Sequence, residues 1–354
     1  MSNGIQLVWF KRDLRIHDHA PLSRAARDGP CLGVYIYEDA VLDSPEFSPA
    51  HLDFINASLD ALEKSLAQLG GTLIRARGTV VDVFSRIHDS VGIAGLWSHE
   101  ETGNDITYRR DRAVAAWARK NRIEWEELPN HGVFRRLADR DGWSRRWARR
   151  MGEPITPAPE RLSPPGPSQL ALIRSALAAP AALTPSDLAW TRDQTPWQLG
   201  GEGEAREVLR DFLFNRGRAY SGGMSSPVTA FDACSRLSPH LAWGTVSMRT
   251  IVQATRDRRD ALKAKGRRDG WGKSLSAFSQ RLRWHCHFMQ KLEDEPSIEF
   301  ENMSRAYDGL REEEFHQGYF DAWQAGQTGY PLVDACMRAL DQHSWINFRM
   351  RAML

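Results

Sequence analysis

Gly326-Gln327-Thr328-Gly329-Tyr330-Pro331-Leu332-Val333-Asp334-Ala335-Cys336-Met337-Arg338-Ala339-Leu340 reads as a loop feeding a helix. Two glycines permit a tight entry, and Pro331 suits the first helical position, where a missing N–H costs nothing. Leu332, Val333, Cys336, Met337 and Leu340 fall on one face at helical spacing. Asp334 and Arg338 sit four apart, acid first, on another face. An amphipathic core helix accounts for the periodicity, but the particular residues are more specific than periodicity requires.

The chain around this stretch has 354 residues, enough for about two domains. Its net charge of +2 means that a nucleic-acid partner must meet a local patch. Thirteen Trp call for bulky packing or for aromatic redox chemistry. The four cysteines, at 31, 234, 286 and 336, have no C-x-x-C spacing. That argues against a zinc ribbon or redox pair and for buried thiols in a reducing, cytoplasmic setting. Met1 to Gly4 lead straight into a strand with no signal-peptide pattern, and no apolar run reaches membrane-spanning length.

Working towards the N-terminus, Ile5–Phe10 and Cys31–Tyr37 are short buried-strand patterns, with weaker ones at 72–75, 93–97 and 123–125. Helical stretches at 51–69, 80–90 and 105–120 alternate with them. This predicts an α/β domain over 1–135 with a doubly wound, mostly parallel sheet. Neither G-x-G-x-x-G nor a P-loop follows the first strand. Nine of the eighteen prolines lie in 151–200, so 136–200 reads as a long extended linker with a short helix at 168–179. From 201 to 354 the patterns are helical, at 202–215, 229–242, 246–265 and 275–292, and predict an all-α domain.

Three ordered motifs carry a resemblance. The 326–340 stretch with Ser344-Trp345-Ile346-Asn347-Phe348-Arg349-Met350-Arg351 resembles the flavin-domain signature of the photolyase/cryptochrome family, T-G-x-P-x-x-D-A-x-M-R-x-L then T-G-W-x-H-N-R-x-R. Leu7-Val8-Trp9-Phe10-Lys11-Arg12-Asp13-Leu14-Arg15-Ile16-His17-Asp18-His19 resembles the family's opening, W-F-R-x-D-L-R-x-x-D-N. Taken singly, Arg12, Asp13, Arg15 and Asp18 read as a solvated turn after a strand. Cys234-Ser235-Arg236-Leu237-Ser238-Pro239-His240-Leu241-Ala242-Trp243-Gly244 is similar to T-S-R-L-S-P-x-L-x-x-G.

The resemblance implies FAD as cofactor, with a second antenna chromophore of folate or deazaflavin type in the α/β half. It implies that Cys234, Ser235, Arg236, Leu237 and Ser238 cradle the FAD phosphates and that Tyr220 contacts the cofactor. Hydroxyls and backbone N–H groups at a helix start, with Arg236 beside them, suit phosphate chemically. Simple N-capping also accounts for Ser235 and Ser238. Cys234 replaces the usual threonine and removes one strong donor.

Arg281-Leu282-Arg283-Trp284-His285-Cys286-His287-Phe288 matches the family helix E-L-x-W-R-E-F, whose Trp stacks on damaged bases. This places Trp284 in the catalytic role and Phe278, Arg281, His285 and Arg351 at the cofactor. Arg281, Trp284, His285 and Phe348 form the expected DNA contacts. Arg281 stands where the family has Glu, and an Arg cannot accept hydrogen bonds. His285 and His287, two apart on a helix, point to different faces, so no metal site is expected. Asn347 and Phe348 replace the family's His-Asn, which favours cyclobutane over (6-4) lesions.

The run 256–283 holds ten Lys/Arg against three Asp, net +7, beside the helix of Trp284. Positive charge next to an aromatic platform suits flipped bases and their phosphates. The segment 293–314 holds nine Asp/Glu against two Arg, net −7. The implied function is light-dependent repair of cyclobutane pyrimidine dimers by a deoxyribodipyrimidine photo-lyase, a carbon–carbon lyase. The partner is UV-damaged DNA, with no membrane and a monomeric protein. The rival is a cryptochrome-like blue-light photoreceptor with a signalling partner and no repair. Family members continue beyond the position of Leu354. The sequence reading therefore expects these residues to be a fragment, or to need a separate C-terminal piece, and to bind FAD weakly alone.

Overall fold

The computed structural model describes residues 4–177, 182–188, 198–266 and 269–354. Parts of the expected linker (178–181 and 189–197), and Arg267 and Arg268 of the basic run, lie outside the described residues.

Strands β1 (Ile5–Phe10), β2 (Cys31–Tyr37), β3 (Leu73–Arg77), β4 (Ile93–His99) and β5 (Glu124–Leu128) form one parallel sheet in the order β3-β2-β1-β4-β5. The crossovers are α1 (Ala20–Asp28), α2 (Pro49–Gln68), α3 (Val80–Val91) and α4 (Asp105–Lys120). Every residue of β1 and β2 is buried, because helices cover both faces of a parallel sheet. Ile5, Leu7 and Trp9 pack on one side against Phe84, Ile87, Val114 and Trp117; Val8 and Phe10 pack on the other against Leu22, Leu52, Ile55 and Leu59.

The 136–200 stretch is more structured than its prolines predict. It holds α5 (Trp143–Gly152) and α6 (Pro167–Leu177). Trp143, Trp147 and Met151 of α5 enter the core of the helical half, while Ile173 and Leu177 of α6 close the sheet core. The helical half then runs through α7 (Glu202–Phe214), α8 (Met248–Ala264), α9 (Trp271–Asp294), α10 (Pro331–His343) and α11 (Phe348–Met353). The single helix expected over 229–242 is two short pieces, Ala230–Ala233 and Ser238–Ala242, broken where Arg236 adopts φ +61°.

The charged turn after β1 is not solvated. Asp13, Arg15 and Asp18 are buried because the helical half docks on them. Arg15 Nη1 donates to the Gly244 carbonyl at 2.8 Å, and Nη2 donates to the Asp18 carbonyl and Asn130 Oδ1. Asp18 accepts from Ser247 Oγ, Arg249 and the Thr156 N–H. Leu14 N–H donates to the Trp243 carbonyl at 3.1 Å. Gly244 makes this approach possible: at φ +62°, an added Cβ would lie 2.1 Å from the Arg12 carbonyl oxygen.

Asp13 Oδ2 accepts from His19 Nε2 at 3.0 Å and His99 Nδ1 at 2.7 Å. The three groups lie close enough to hold a metal ion. However, His19 Nδ1 accepts the Leu22 N–H, so Nε2 keeps the proton it donates to Asp13. The cluster is a hydrogen-bonded triad. Burial acts to raise Asp13, but the two histidines outweigh it and hold the carboxyl well below its usual value. No helix among the described residues is long and apolar enough to cross a membrane.

Candidate functional site

The 326–340 stretch folds as a loop and helix with Pro331 at the helix start. Asp334 and Arg338 do not pair along the helix as the spacing predicts. Asp334 accepts the Thr328 N–H and hydroxyl and the Gly329 N–H, at 2.8, 2.6 and 3.0 Å. Arg338 donates through Nε and Nη2 to the Gly326 carbonyl. Both side chains therefore fasten the loop. Cys336 and Met337 are buried, and Cys336 joins Ile346 and Met350 in a small core, while Leu332 remains half exposed. Asn347 Nδ2 donates to the Met224 carbonyl and holds the start of α11 against the 220s turn.

The break at Cys234–Leu237 is the centre of the candidate cofactor site. Arg216 caps it from one side, donating to the carbonyls of Cys234 and Ser235. Arg236 is buried, with its guanidinium 4.0 Å from the Trp345 ring and 5.5 Å from Phe231. Its Nε donates to Gln198 Oε1, whose amide returns a bond to the Arg236 carbonyl. Burial, and then the neighbouring Arg216, push Arg236 down to about 10. Ser238 and Arg351, from separate motifs, line one cavity of about 250 Å³ with Gln198 and Trp345. On the far side of the break an open groove of about 760 Å³ exposes Arg216, Arg218 and Gly222. Leu237 is buried, backbone included, with its N–H directed at Ser235 Oγ at 3.5 Å.

Arg236 beside serine hydroxyls, with Arg351 on the cavity wall, is a donor set that suits a diphosphate, while Arg216 is engaged by Asp211 and the two carbonyls. An anion here would relieve the electrostatic cost that depresses Arg236. The residues present fit the phosphate portion of FAD. Sequence reading missed Arg216 and Gln198, which no spacing signal marks.

Tyr220 and Phe278 form the next layer. Their rings meet each other at 5.8 Å and Phe212 at 5.6 and 4.6 Å. Burial, and then Cys234, push the Tyr220 hydroxyl up to about 12, partly offset by the positive charge of Arg281. The Arg281 guanidinium lies between two exposed rings, 4.8 Å from Trp284 and 5.4 Å from Phe348. Trp284 also meets Phe288 edge-on at 6.0 Å. This is a solvent-facing aromatic platform with a fixed cation in its middle.

His285 does not join these residues. It faces a separate cavity of about 220 Å³ between the two halves, lined also by Lys11, Asp13, His99, Asn130 and His131. Burial pushes it down to about 4. His287, on another face as its spacing predicts, accepts from Arg140 at 3.0 Å.

Residues 6–138 match the DNA photolyase family model, and residues 278–354 match the FAD binding domain of DNA photolyase. Deoxyribodipyrimidine photo-lyases of Halobacterium salinarum and Streptomyces griseus are each 29% identical over 99% of this chain, spanning 74% and 73% of their own lengths. The chain belongs to the DNA photolyase/cryptochrome family. Its fold is shared with a class III photolyase from Agrobacterium tumefaciens, with a TM-score of 0.78 and 24% identity over 100% of this chain and 72% of that one. A Synechocystis cryptochrome gives the same TM-score and identity over 99% and 74%. The matched FAD-binding domain contains the Arg281–Trp284–Phe348 platform and Arg351; Tyr220 and the 234–238 break lie between the two matched stretches.

Proposed function

We propose that this photolyase-family chain is a light-dependent deoxyribodipyrimidine photo-lyase that uses FAD and acts on cyclobutane pyrimidine dimers in DNA. The observation that carries the reading is the Arg281 guanidinium set between the exposed rings of Trp284 and Phe348, on the same helix as Phe278, whose ring meets Tyr220. One helix thereby carries both the Phe278 ring beside Tyr220 and a surface suited to unstacked bases.

Ser235, Arg236, Ser238 and Arg351, with Cys234 and Leu237 shaping the turn between them, would hold the FAD phosphates, and Tyr220 would flank the cofactor. A reduced flavin held there would supply the light-driven one-electron chemistry that opening a cyclobutane dimer requires. Trp284 offers a stacking face for the extruded pyrimidines. Extrusion costs less at a damaged, poorly paired step, which contributes to selection. Arg281 can only donate, so it addresses the carbonyl oxygens of the bases.

Affinity measurements on duplexes with and without one thymine dimer test the recognition. Trp284→Ala should lose a stacking contact of about 1–3 kcal/mol, with damaged DNA affected more than intact. Equal affinity of wild type and variant for the damaged duplex would remove Trp284 from the site.

A cryptochrome-like receptor is the second reading, favoured by Arg281 and Phe348 standing where the family's repair pattern has other residues. It differs in outcome: illumination would change the flavin and leave the dimer intact.

A further inference from the structure

Helix α5 carries four arginines and no acidic residue. Trp143, Trp147 and Met151, four apart, turn inward. Arg150 lies next to them and donates to the carbonyls of His131 and Val133 at 3.1 and 2.6 Å. Arg145, Arg146 and Arg149 fall on the opposite side, within an arc of about 100° at helical spacing. All three are exposed, and none enters an ion pair among the described residues. Some exposed arginines on other helices are paired within one turn, Arg86 with Asp82, Arg206 with Glu202 and Arg210 with Glu207. The charge on α5 is uncompensated.

Its position gives that charge a use. α5 lies along α9, with the Arg283 guanidinium 5.3 Å from the Trp147 ring and Trp143 Nε1 donating to Gln290 at 3.1 Å. Trp143 also meets His287 at 5.9 Å. Around α9, Arg283 and His287 therefore flank Trp284 on the side of α5, and Arg281 and Phe348 flank it on the other. The arginine row runs beside the aromatic platform. From Arg145 to Arg149 the helix rises about 6 Å, close to the roughly 7 Å rise of two phosphates on one B-form strand.

We propose that the outer face of α5 binds the phosphate backbone of the DNA duplex flanking the bases held at Trp284, an inference that rests on the DNA reading above. Guanidinium groups match phosphate oxygens geometrically, and each phosphate neutralised releases condensed counterions. The face sets duplex affinity and its salt dependence; the platform sets the preference for damage.

The experiment compares full-length wild type with the triple variant Arg145→Gln/Arg146→Gln/Arg149→Gln. Binding to a duplex with and without one thymine dimer is measured from 50 to 200 mM salt. The variant's slope of log affinity against log salt should be shallower by about 2–3. Both duplexes should weaken by the same factor, leaving the damaged-to-intact ratio at the wild-type value. The paired-arginine control, Arg86→Gln/Arg206→Gln/Arg210→Gln, should keep the wild-type slope. A wild-type slope in the α5 variant, or an equal loss in the control, would overturn the α5 surface while a retained preference for damage leaves the repair reading standing. Absence of DNA binding by the wild type at every salt would overturn both.

Discussion

The Asp18 carboxylate accepts two hydrogen bonds from Arg249, Nη2 to Oδ1 at 2.5 Å and Nε to Oδ2 at 3.1 Å, and so joins the turn after β1 to the first turn of α8. Burial acts to raise the Asp18 carboxyl, but the bonds from Arg249 and Ser247 outweigh it and hold it below the usual value. Arg249→Ala would leave a buried carboxylate without its charge partner. Chemical denaturation should register a loss of about 3–5 kcal/mol. Replacing both partners, Asp18→Asn with Arg249→Met, should recover part of it. A single-variant loss below about 1 kcal/mol would mean that the clamp contributes little to docking the two halves.

The same interface explains what the sequence could and could not reveal. β1 and β2 were legible because a strand buried on both faces must be an unbroken apolar run, and the observed helices at 49–68, 80–91 and 105–120 lie within two residues of their expected ends. Asp13, Arg15 and Asp18 were misread because local charge predicts solvent, whereas Arg15 and Asp18 find partners more than two hundred residues away, at Gly244, Ser247 and Arg249, and Asp13 finds His99 on another strand. Helix α5 was hidden by its arginines and nearby prolines, although Trp143, Trp147 and Met151 carried the helical period. At the candidate site, the aligned motifs named Tyr220, Arg236, Ser238, Trp284 and Arg351 by position. They could not show that Arg236 stacks on Trp345, or that His285 faces the other half of the molecule.

Acid should weaken the fold through its buried histidines. Burial pushes His99 and His131 down to about 3, and His240 and His285 down to about 4. A histidine kept neutral in the folded state binds fewer protons than in the unfolded chain. Its stabilisation is therefore complete above about pH 6.5 and falls as pH drops towards its folded value. Between pH 7 and pH 5 each such histidine should remove about 1–2 kcal/mol. Urea unfolding at the two pH values checks this, and replacing His99 with Gln should reduce the difference. Equal stability at pH 5 and pH 7 would contradict the buried, neutral assignment.

Flavin retention should depend on Arg236. The guanidinium stacks on Trp345, which lines the same cavity as Ser238 and Arg351. Arg236→Ala should weaken FAD binding by roughly 1.5–3 kcal/mol through loss of a charged donor. Equilibrium dialysis with free FAD, read by flavin absorbance, measures this without requiring activity. Arg236→Lys should recover only part, because an ammonium cannot make the same forked contact. Unchanged FAD affinity in Arg236→Ala would place the diphosphate elsewhere, with the open groove at Arg216 and Arg218 the alternative.

The most direct measurement of light-driven repair uses purified protein loaded with FAD and chemically reduced, mixed with an oligonucleotide carrying one thymine dimer. Half is illuminated with blue light and half is kept dark, and intact adjacent thymines are quantified by chromatography. The expected result is conversion of the dimer only in the light and only with reduced flavin, lost in Trp284→Ala at limiting protein. An unchanged dimer, with flavin bound and photochemically active, would contradict the repair reading and assign the chain to the receptor side of its family.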